Sequence, residues 1–436
     1  TALRYHRGCY FYLLAIAQQL QGQSRAALSQ LELALQNTDP RYDLSLYRRI
    51  LNRLWHLYYK HKHYAEAFEV KLEQRRVETL FGLRAFIGAS QIQPLHTTTS
   101  STADYVSLGK EQGLKRAVLA AEIKASGRTK DIEALISRLS QPRYPIVVLH
   151  GQSGVGISSI LRAGLVPHLR NLMSEGRTTL PVLVANYSPW AVQIARAIAS
   201  TASYNSSSTT IQTTEAVLSA LGTEIEALST QPASHAKIAT LLTQSLKQLT
   251  QSTYQQVILV LDQFEDFFYE YPSLSERQGM YAFLRNCLDL PYVKIVLALR
   301  EDFLHYLLEW DRNADLNTID NDILSKEIRY YLGNFTPKAA EALILQLTRA
   351  AGFYPEEPLV TALVDDLAAE TGEVRPIELQ VVGAQLQRES IITLEQYREL
   401  GRSPKTQLLN NFLNSVIRDC GPENKEVAQS VLYLLS

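Results

Sequence analysis

A glycine-rich segment carries the clearest chemical signal in the 436-residue sequence. The segment consists of Gly151, Gln152, Ser153, Gly154, Val155, Gly156, Ile157, Ser158 and Ser159. The apolar run 146–149 before it predicts a buried strand, and residues 160–165 after it predict the opening of a helix. Glycines in such a turn allow backbone N–H groups to converge on an anion at a helix N-terminus. We therefore predict that residues 151–159 bind the phosphates of a nucleotide.

The spacing of this segment is that of the motif G-x-x-x-x-G-K-[ST], with isoleucine at position 157 where the lysine belongs. The lysine normally reaches the β- and γ-phosphates, and the hydroxyl that follows it, here Ser158, binds magnesium. Losing one charge-assisted contact removes about 1.5 to 3 kcal/mol of phosphate binding, and transition-state stabilisation falls further. We expect weakened nucleotide binding and impaired or absent hydrolysis. The replacement is either engineered or natural, and the sequence leaves both open.

Acidic residues and an arginine follow two further apolar runs. Residues 257–261 predict a buried strand that ends at Asp262, with Glu265 and Asp266 just beyond it. In a phosphate-loop fold the first of these acids binds magnesium, and a second positions the attacking water. Residues 294–299 predict another strand, and Arg300 follows it at the edge where parallel sheets bind ligands. As a functional residue, Arg300 is expected either to sense a γ-phosphate or to pair with Glu265. The alternative is that Arg300 forms an exposed surface ion pair without a role at the site.

Composition narrows the class of protein. The net charge is −1 with both signs interspersed, so no basic surface indicates nucleic acid or an anionic membrane as a partner. The three cysteines, Cys9, Cys287 and Cys420, are far apart, which argues against a disulfide framework or a zinc site. No uncharged run approaches the roughly 18 residues of a membrane span, and a cytoplasmic setting fits best. The start at Thr1 and the end inside an apolar helical pattern suggest a piece of a longer protein.

The remaining sequence predicts helices on both sides of this core. The first 90 residues show helical spacing that repeats after about 40 residues and places Ala67 over Ala27. Paired helices at this period resemble tetratricopeptide repeats, which bind partner proteins, but the repeat is degenerate because its spacing exceeds the usual period of about 34 residues. A helical bundle with no partner is the alternative. Residues 91–119 predict a linker, 120–333 the nucleotide-binding core, 334–401 a helical lid and 402–436 the start of a winged-helix-like domain.

Several motifs together resemble one known family. They are Gly127-Arg128, the G-x-S-G-x-G loop, the strand ending Asp-Gln-Phe-Glu-Asp, the strand ending Arg-Glu-Asp-Phe, and Arg375-Pro376. This combination resembles the STAND branch of AAA+ related NTPases, and most closely the bacterial novel-STAND group found in cyanobacteria among repeat domains. The resemblance covers residues 120–436. It implies an α/β P-loop NTPase fold with a parallel sheet, an N-terminal helical repeat layer, an all-helical lid and the start of a winged-helix segment.

The resemblance also implies roles for individual residues. Arg128 would contact the base or sugar, residues 151–159 the phosphates, and Pro376 the base from the lid. Asp262 would hold magnesium with Ser158, and Arg300 would be the sensor arginine. The cofactors implied are ATP or ADP with magnesium.

The function implied by the resemblance is a signalling switch. In such proteins ADP holds a closed monomer, and a trigger on the repeats permits exchange for ATP and assembly into an oligomer, in antiphage defence or cell death. The alternative is a scaffold whose repeats bind a partner protein and whose degenerate NTPase domain is structural. A nucleic-acid ATPase is disfavoured by the charge balance.

Overall fold

The computed structural model describes residues 2–81, 83, 86, 128–174, 176–204, 235–313 and 315–435. The predicted linker 91–119 and Gly127 of the Gly-Arg motif lie outside the described residues. The chain divides into two units, one formed by residues 1–94 together with 340–436 and the other by residues 95–339. The second unit contains the glycine-rich segment, and we call it the NTPase unit.

Four helices form the N-terminal part of the first unit. They are α1 (Ala2–Leu20), α2 (Ser24–Gln36), α3 (Leu44–Lys60) and α4 (Tyr64–Leu80). Ala27 and Ala67 are both buried, as expected for small residues where two helices approach closely. Gly22 and Lys62 occupy the turns between the paired helices, and both have left-handed backbone, with φ of 79° and 64°. The two turns thus share a conformation that glycine adopts without strain and lysine does not.

A six-stranded sheet forms the centre of the NTPase unit, in the order β2-β3-β4-β5-β1-β6. The strands are β1 (Ile146–Gly151), β2 (Met173–Ser174), β3 (Arg177–Val184), β4 (Gln255–Leu261), β5 (Val293–Arg300) and β6 (Arg329–Leu332). Only the short edge strand β2 runs antiparallel to its neighbour, so the other five strands form a parallel sheet. This sheet confirms the predicted α/β P-loop NTPase fold. Because the strands are parallel, the residues that follow β1, β4 and β5 share one edge.

The central strands are apolar because helices cover both faces of the sheet. Along β4, Leu259 faces one buried cluster while Ile258 and Val260 face the other. Each such side chain, once fully buried, contributes about 1.5 to 3 kcal/mol. Strands buried on both faces form continuous apolar runs, which is why these strands are recognisable in the sequence.

Helices surround this sheet and connect its strands. They are α5 (Thr129–Leu139), α7 (Trp190–Tyr204), α8 (His235–Ser252), α9 (Glu265–Glu270), α10 (Leu274–Leu288) and α11 (Leu307–Asn313). Helix α6 follows the glycine-rich segment and has three consecutive parts, an α-helical turn (Ile157–Ser159), a π-helical part (Ile160–Leu165) and a second α-helical part (Val166–Arg170). A π-helical segment inside a helix is rare and is frequent at functional sites.

The C-terminal part of the chain, which belongs to the first unit from residue 340 onward, is helical, as the sequence predicts. Its helices are α12 (Pro337–Ala350), α13 (Glu357–Ala368), α14 (Pro376–Arg388), α15 (Leu394–Glu399), α16 (Pro404–Asp419) and α17 (Lys425–Leu435). Helix α12 begins at the proline that follows Thr336, whose hydroxyl accepts a hydrogen bond from the Ala339 N–H at 3.3 Å. Helix α13 buries Leu359, Leu363 and Leu367 at helical spacing.

The N-terminal and C-terminal parts of the first unit contact each other through specific side chains. Lys71 on α4 forms an ion pair with Asp419 at the end of α16, and both side chains are largely buried. The Tyr59 hydroxyl donates to the Arg418 carbonyl at 2.9 Å. Phe86 packs directly on Gly383 of α14, where a Cβ atom would approach the ring to 2.6 Å. The helical N-terminus is therefore fixed to the C-terminal helices of the same unit.

Candidate functional site

The glycine-rich segment lies between β1 and α6, at the carboxyl edge of the parallel sheet. Gly154 and Gly156 have φ of 79° and 95°, a left-handed conformation that strains residues with a Cβ atom. At Gly151 a Cβ atom would come within 2.6 Å of the Leu332 carbonyl oxygen of β6. The glycines thus permit both the turn itself and the close approach of β6 to its first residue.

Helix α6 begins at Ile157, so its first backbone N–H groups have no acceptor within the helix and face the turn. This is the arrangement that binds phosphate at a helix N-terminus. The Ile157 side chain is half-buried and packs against the apolar cluster beneath the sheet, which includes Leu135 and Leu149. Position 157 therefore contributes apolar packing in place of the positive charge that the motif normally supplies.

Asp262 follows β4 directly, and its side chain is fully buried. The Ser158 hydroxyl donates to Asp262 Oδ1 at 2.8 Å, so the two predicted magnesium ligands lie side by side. The backbone of Asp262 is fixed from both sides: its N–H donates to the Val184 carbonyl at 2.8 Å, and its carbonyl accepts from the Tyr187 hydroxyl at 2.9 Å. The structure thus brings the predicted loop and the predicted acid together with defined geometry.

Arg162 also contacts Asp262, and sequence reasoning missed it. Both Nε and Nη2 of Arg162 lie 2.9 Å from Asp262 Oδ2. Arg162 follows Ser158 by four residues, which places both side chains on one face of α6. The four-residue spacing from Ser158 could have indicated from the sequence that Arg162 lies at the site. Tyr187 was missed as well, and it gave no comparable signal because it lies 75 residues from Asp262.

Glu265 and Asp266 begin α9, three and four residues beyond Asp262. Burial raises the pKa of the Glu265 carboxyl to about 7, and the charges of Asp266 and Asp262 add to that rise. Hydrogen bonds from backbone N–H groups, including that of Arg300 at 3.3 Å, oppose it. A carboxyl group with a pKa near neutrality suits general-base catalysis. Which of the two acids positions water stays a prediction.

Arg300 ends β5, and the strand register places it directly opposite Gly151 of the loop. Its guanidinium pairs with Asp302, with Nε 3.1 Å from Oδ1, and lies over the Phe303 ring. Glu265 contacts the backbone N–H of Arg300 and not the guanidinium, so the expected ion pair with Glu265 is not the arrangement found. The partly exposed Arg300–Asp302 pair matches the alternative expectation of a surface ion pair. A sensing role for Arg300 stays a prediction.

Arg128 is nearly fully buried, with 9% of its surface exposed. Its Nη2 donates to the Val155 carbonyl at 3.2 Å and to the Gly333 carbonyl at 2.8 Å, and its Nη1 donates to Asp131 at 3.3 Å. The guanidinium also lies over the Phe335 ring. Burial lowers the pKa of Arg128, and Asp131 opposes that shift. Arg128 thus links the glycine-rich turn to the end of β6, and a contact with base or sugar stays a prediction.

Pro376 is the remaining predicted nucleotide contact, and it belongs to the first unit. It is the first residue of α14, where a proline has no N–H to leave unpaired and its φ already suits the helix. The preceding Arg375 pairs with Glu378 at 3.2 Å. The contact of Pro376 with a base stays a prediction.

The residues present fit a nucleotide with magnesium in most respects. The turn has left-handed glycines and leads into a helix N-terminus, which suits a phosphate. A hydroxyl and a carboxylate, Ser158 and Asp262, are the oxygen ligands that magnesium accepts. Two residues do not fit a magnesium nucleotide. Ile157 lacks the positive charge of the usual lysine, and Arg162 occupies Oδ2 of Asp262. Among the described residues, no group of three or more His, Cys, Asp or Glu side chains could hold a metal ion.

A parallel sheet, a phosphate-type loop after β1 and a buried acid after β4 define the class as a P-loop NTPase. The chain belongs to the Novel STAND NTPase 1 family, whose model matches residues 124–436. A comparison with curated proteins gives no match. In the described part of the chain, none of the helices has the length and apolar character that crossing a membrane requires.

Three of the solved structures to which the chain is similar are from Pyrococcus abyssi and Aeropyrum pernix. The Walker-type ATPase PABY2304 of Pyrococcus abyssi is 17% identical, with a TM-score of 0.40 over 70% of this chain and 76% of that one. The Aeropyrum pernix ORC2 protein, solved with ADPNP and ADP, is 13% identical, with a TM-score of 0.43 over 65% and 68%. The ORC1 protein of the same organism, solved with DNA, is 18% identical, with a TM-score of 0.40 over 72% of each chain. At these values the likeness carries no argument about activity.

Proposed function

We propose that the chain is a nucleotide-dependent signalling switch of the STAND class that binds ATP or ADP and hydrolyses ATP poorly or not at all. The observation that carries the proposal is the 2.8 Å hydrogen bond between Ser158 and Asp262 at the edge of the sheet. It places the loop beside the acid that such sites use for a magnesium-bound phosphate. Were magnesium to bind, Ser158 and Asp262 would hold it, and Arg162 already contacts the same carboxylate.

The poor hydrolysis follows from position 157. A lysine there would donate to the β- and γ-phosphates, whereas the Ile157 side chain packs on the apolar cluster. Nucleotide binding then relies on the backbone N–H groups of the loop and on cationic side chains near it, such as Arg162. A switch needs the nucleotide to be held and exchanged, and rapid turnover is not required for that.

The proposed output is a change in assembly state, with a protein trigger at the helical repeats, and antiphage defence or cell death is the proposed setting.

The test begins with equilibrium binding of ADP and ATP to the purified chain by calorimetry. We expect a saturable heat for ADP in the wild type and a loss of at least tenfold in affinity for Gly156→Val, which strains the left-handed turn that presents the loop N–H groups. Light scattering coupled to size exclusion then compares the ADP and ATP forms, and the ATP form is expected to have the larger mass. A chain that binds neither nucleotide at millimolar concentration would contradict the proposal.

The effect of position 157 is tested separately with Ile157→Lys. Restoring one charge-assisted phosphate contact is expected to tighten ATP binding about tenfold or more, and to raise ATP turnover by a larger factor. Ile157→Met is the matched control, because it keeps an apolar side chain of similar volume without a charge. Equally high turnover in the wild type and in Ile157→Lys would contradict the assigned role of this position.

A scaffold remains the second candidate, and two observations favour it. Asp262 already has hydrogen-bond partners at both oxygens, and Ile157 is part of the apolar packing, so the loop is held without a nucleotide. The N-terminal repeats are also fixed to the C-terminal helices by the Lys71–Asp419 pair, which gives a rigid surface for a partner protein. Absence of nucleotide binding together with capture of a folded partner by the N-terminal helices of the whole chain would select the scaffold.

A further inference from the structure

Arg162 makes a contact at the candidate site that the motif does not include. Its guanidinium holds Asp262 Oδ2 through Nε and Nη2, both at 2.9 Å, while Ser158 holds Oδ1 at 2.8 Å. Asp262 is fully buried, so its negative charge needs a partner inside the protein. Arg162 supplies the positive charge that this carboxylate would otherwise obtain from a divalent cation.

Arg162 also keeps donors for a ligand. The Arg162 side chain is 41% exposed. Nη1 has no hydrogen-bond partner within the described part of the chain. A guanidinium has five N–H donors in a fixed fork, and phosphate oxygens match that geometry. The same side chain can therefore hold the acid and still offer a donor to a ligand.

The other arginines around the loop are used differently. Arg128 is buried against backbone carbonyls, and Arg300 pairs with Asp302. With isoleucine at 157, the described residues offer Arg162 as the cation in direct contact with the Asp262 carboxylate. A divalent cation on Asp262 would face this guanidinium across one carboxylate, and like charges at that range repel strongly.

We propose that Arg162 takes the place of magnesium at this site, so that the chain binds the phosphates of a nucleoside di- or triphosphate without a divalent metal. The proposal rests on the proposed nucleotide binding and specifies its chemistry. Arg162 neutralises Asp262 and donates to phosphate, and the loop N–H groups supply the remaining contacts.

The experiment titrates a fluorescent ADP derivative into the whole chain, once with millimolar magnesium and once with EDTA. In the wild type we expect the two dissociation constants to agree within about threefold, because one charge-assisted contact to phosphate remains in both conditions. In Arg162→Gln we expect at least a tenfold weakening in EDTA and partial recovery with magnesium. Arg162→Lys keeps the positive charge but loses the forked geometry of the guanidinium. Its dissociation constant in EDTA is expected to lie between those of the wild type and Arg162→Gln.

A second readout detects the metal directly. Manganese added with ADP is followed by electron paramagnetic resonance, and we expect bound manganese in Arg162→Gln but not in the wild type. Arg143→Gln is the matched control, because it removes an arginine from an exposed ion pair with Glu327 in the same unit. This variant is expected to bind ADP as the wild type does in both buffers.

The outcomes separate this inference from the proposed function. Wild-type binding that requires magnesium would overturn the inference and leave the nucleotide switch in place, and this measurement needs no variant to fold. Arg162→Gln binding ADP in EDTA as tightly as the wild type would overturn it as well. No ADP binding by the wild type in either buffer would overturn both.

Discussion

Replacing Glu265 with glutamine removes one titrating group from the candidate site while keeping its shape and its acceptor for the Arg300 N–H. The pKa of this carboxyl rises from 4.5 to about 7 in the folded chain, chiefly because it is buried. The folded state therefore binds more protons than the unfolded state between these two values. The contribution of Glu265 to stability is therefore fully present below pH 4.5 and is lost as pH rises through this window.

The magnitude follows from the size of that shift. A tenfold change in proton affinity corresponds to about 1.4 kcal/mol, so the full shift sets an upper value of about 3 kcal/mol. Partial exposure of Glu265 lets water screen the charge, and we expect about 1 to 3 kcal/mol. Glu265→Gln has no charge to bury, so the free energy of unfolding of this variant should exceed that of the wild type by this amount at pH 8. At pH 4.5 the two should agree closely.

The assay is urea unfolding at a series of pH values from 4.5 to 8, followed by tryptophan fluorescence in a Trp55→Phe background. The remaining tryptophans, Trp190 and Trp310, are both buried in the NTPase unit and report on it alone. Glu133→Gln is the control, because Glu133 is exposed on α5 of the same unit, and its effect should stay within about 0.5 kcal/mol at every pH. A difference between Glu265→Gln and the wild type that does not grow with pH would refute the reasoning.

Two other substitutions test contacts away from the magnesium ligands. Arg128→Met removes the donor that joins the Val155 and Gly333 carbonyls, and we expect a loss of about 1.5 to 3 kcal/mol in the same urea assay together with weaker ADP binding. Lys71→Met removes one of the cations that act on the largely buried Asp419 carboxylate, Arg75 being another, and should lower the stability of the first unit by about 1 to 3 kcal/mol, as measured by calorimetry. Adding Asp419→Leu should recover most of that loss. A larger loss in the double variant would show that the ion pair is not what Lys71 contributes.

The fold and the centre of the site could be predicted from the sequence because both depend on local patterns. Strands buried on both faces leave continuous apolar runs, and the loop has a fixed glycine spacing between a strand and a helix. Asp262 was found because it follows such a run directly. These features are readable without knowing which distant residues they contact.

The contacts that complete the site could not be predicted in the same way. Arg162 and Asp262 are 100 residues apart, and only the chain path through β3 and β4 brings them together. Arg128 was expected at the nucleotide because of its motif, whereas its backbone partners depend on where β6 ends. For Arg300 a partner two residues away, Asp302, competes with the more distant Glu265. An arginine side chain is long and has five N–H donors, so several residues can be its partner. Its position in the sequence does not show which of them it contacts.

Positions 157 and 162 are best understood together, because both change the charge around Asp262. A loop with lysine and magnesium brings three positive charges to the phosphates and the acid, whereas this chain brings the single charge of Arg162. If Arg162 excludes the metal, a lysine at 157 restores only part of the usual arrangement. Ile157→Lys should then raise ATP turnover more in an Arg162→Gln background than in the wild type. Equal factors in the two backgrounds would mean that the two positions act independently.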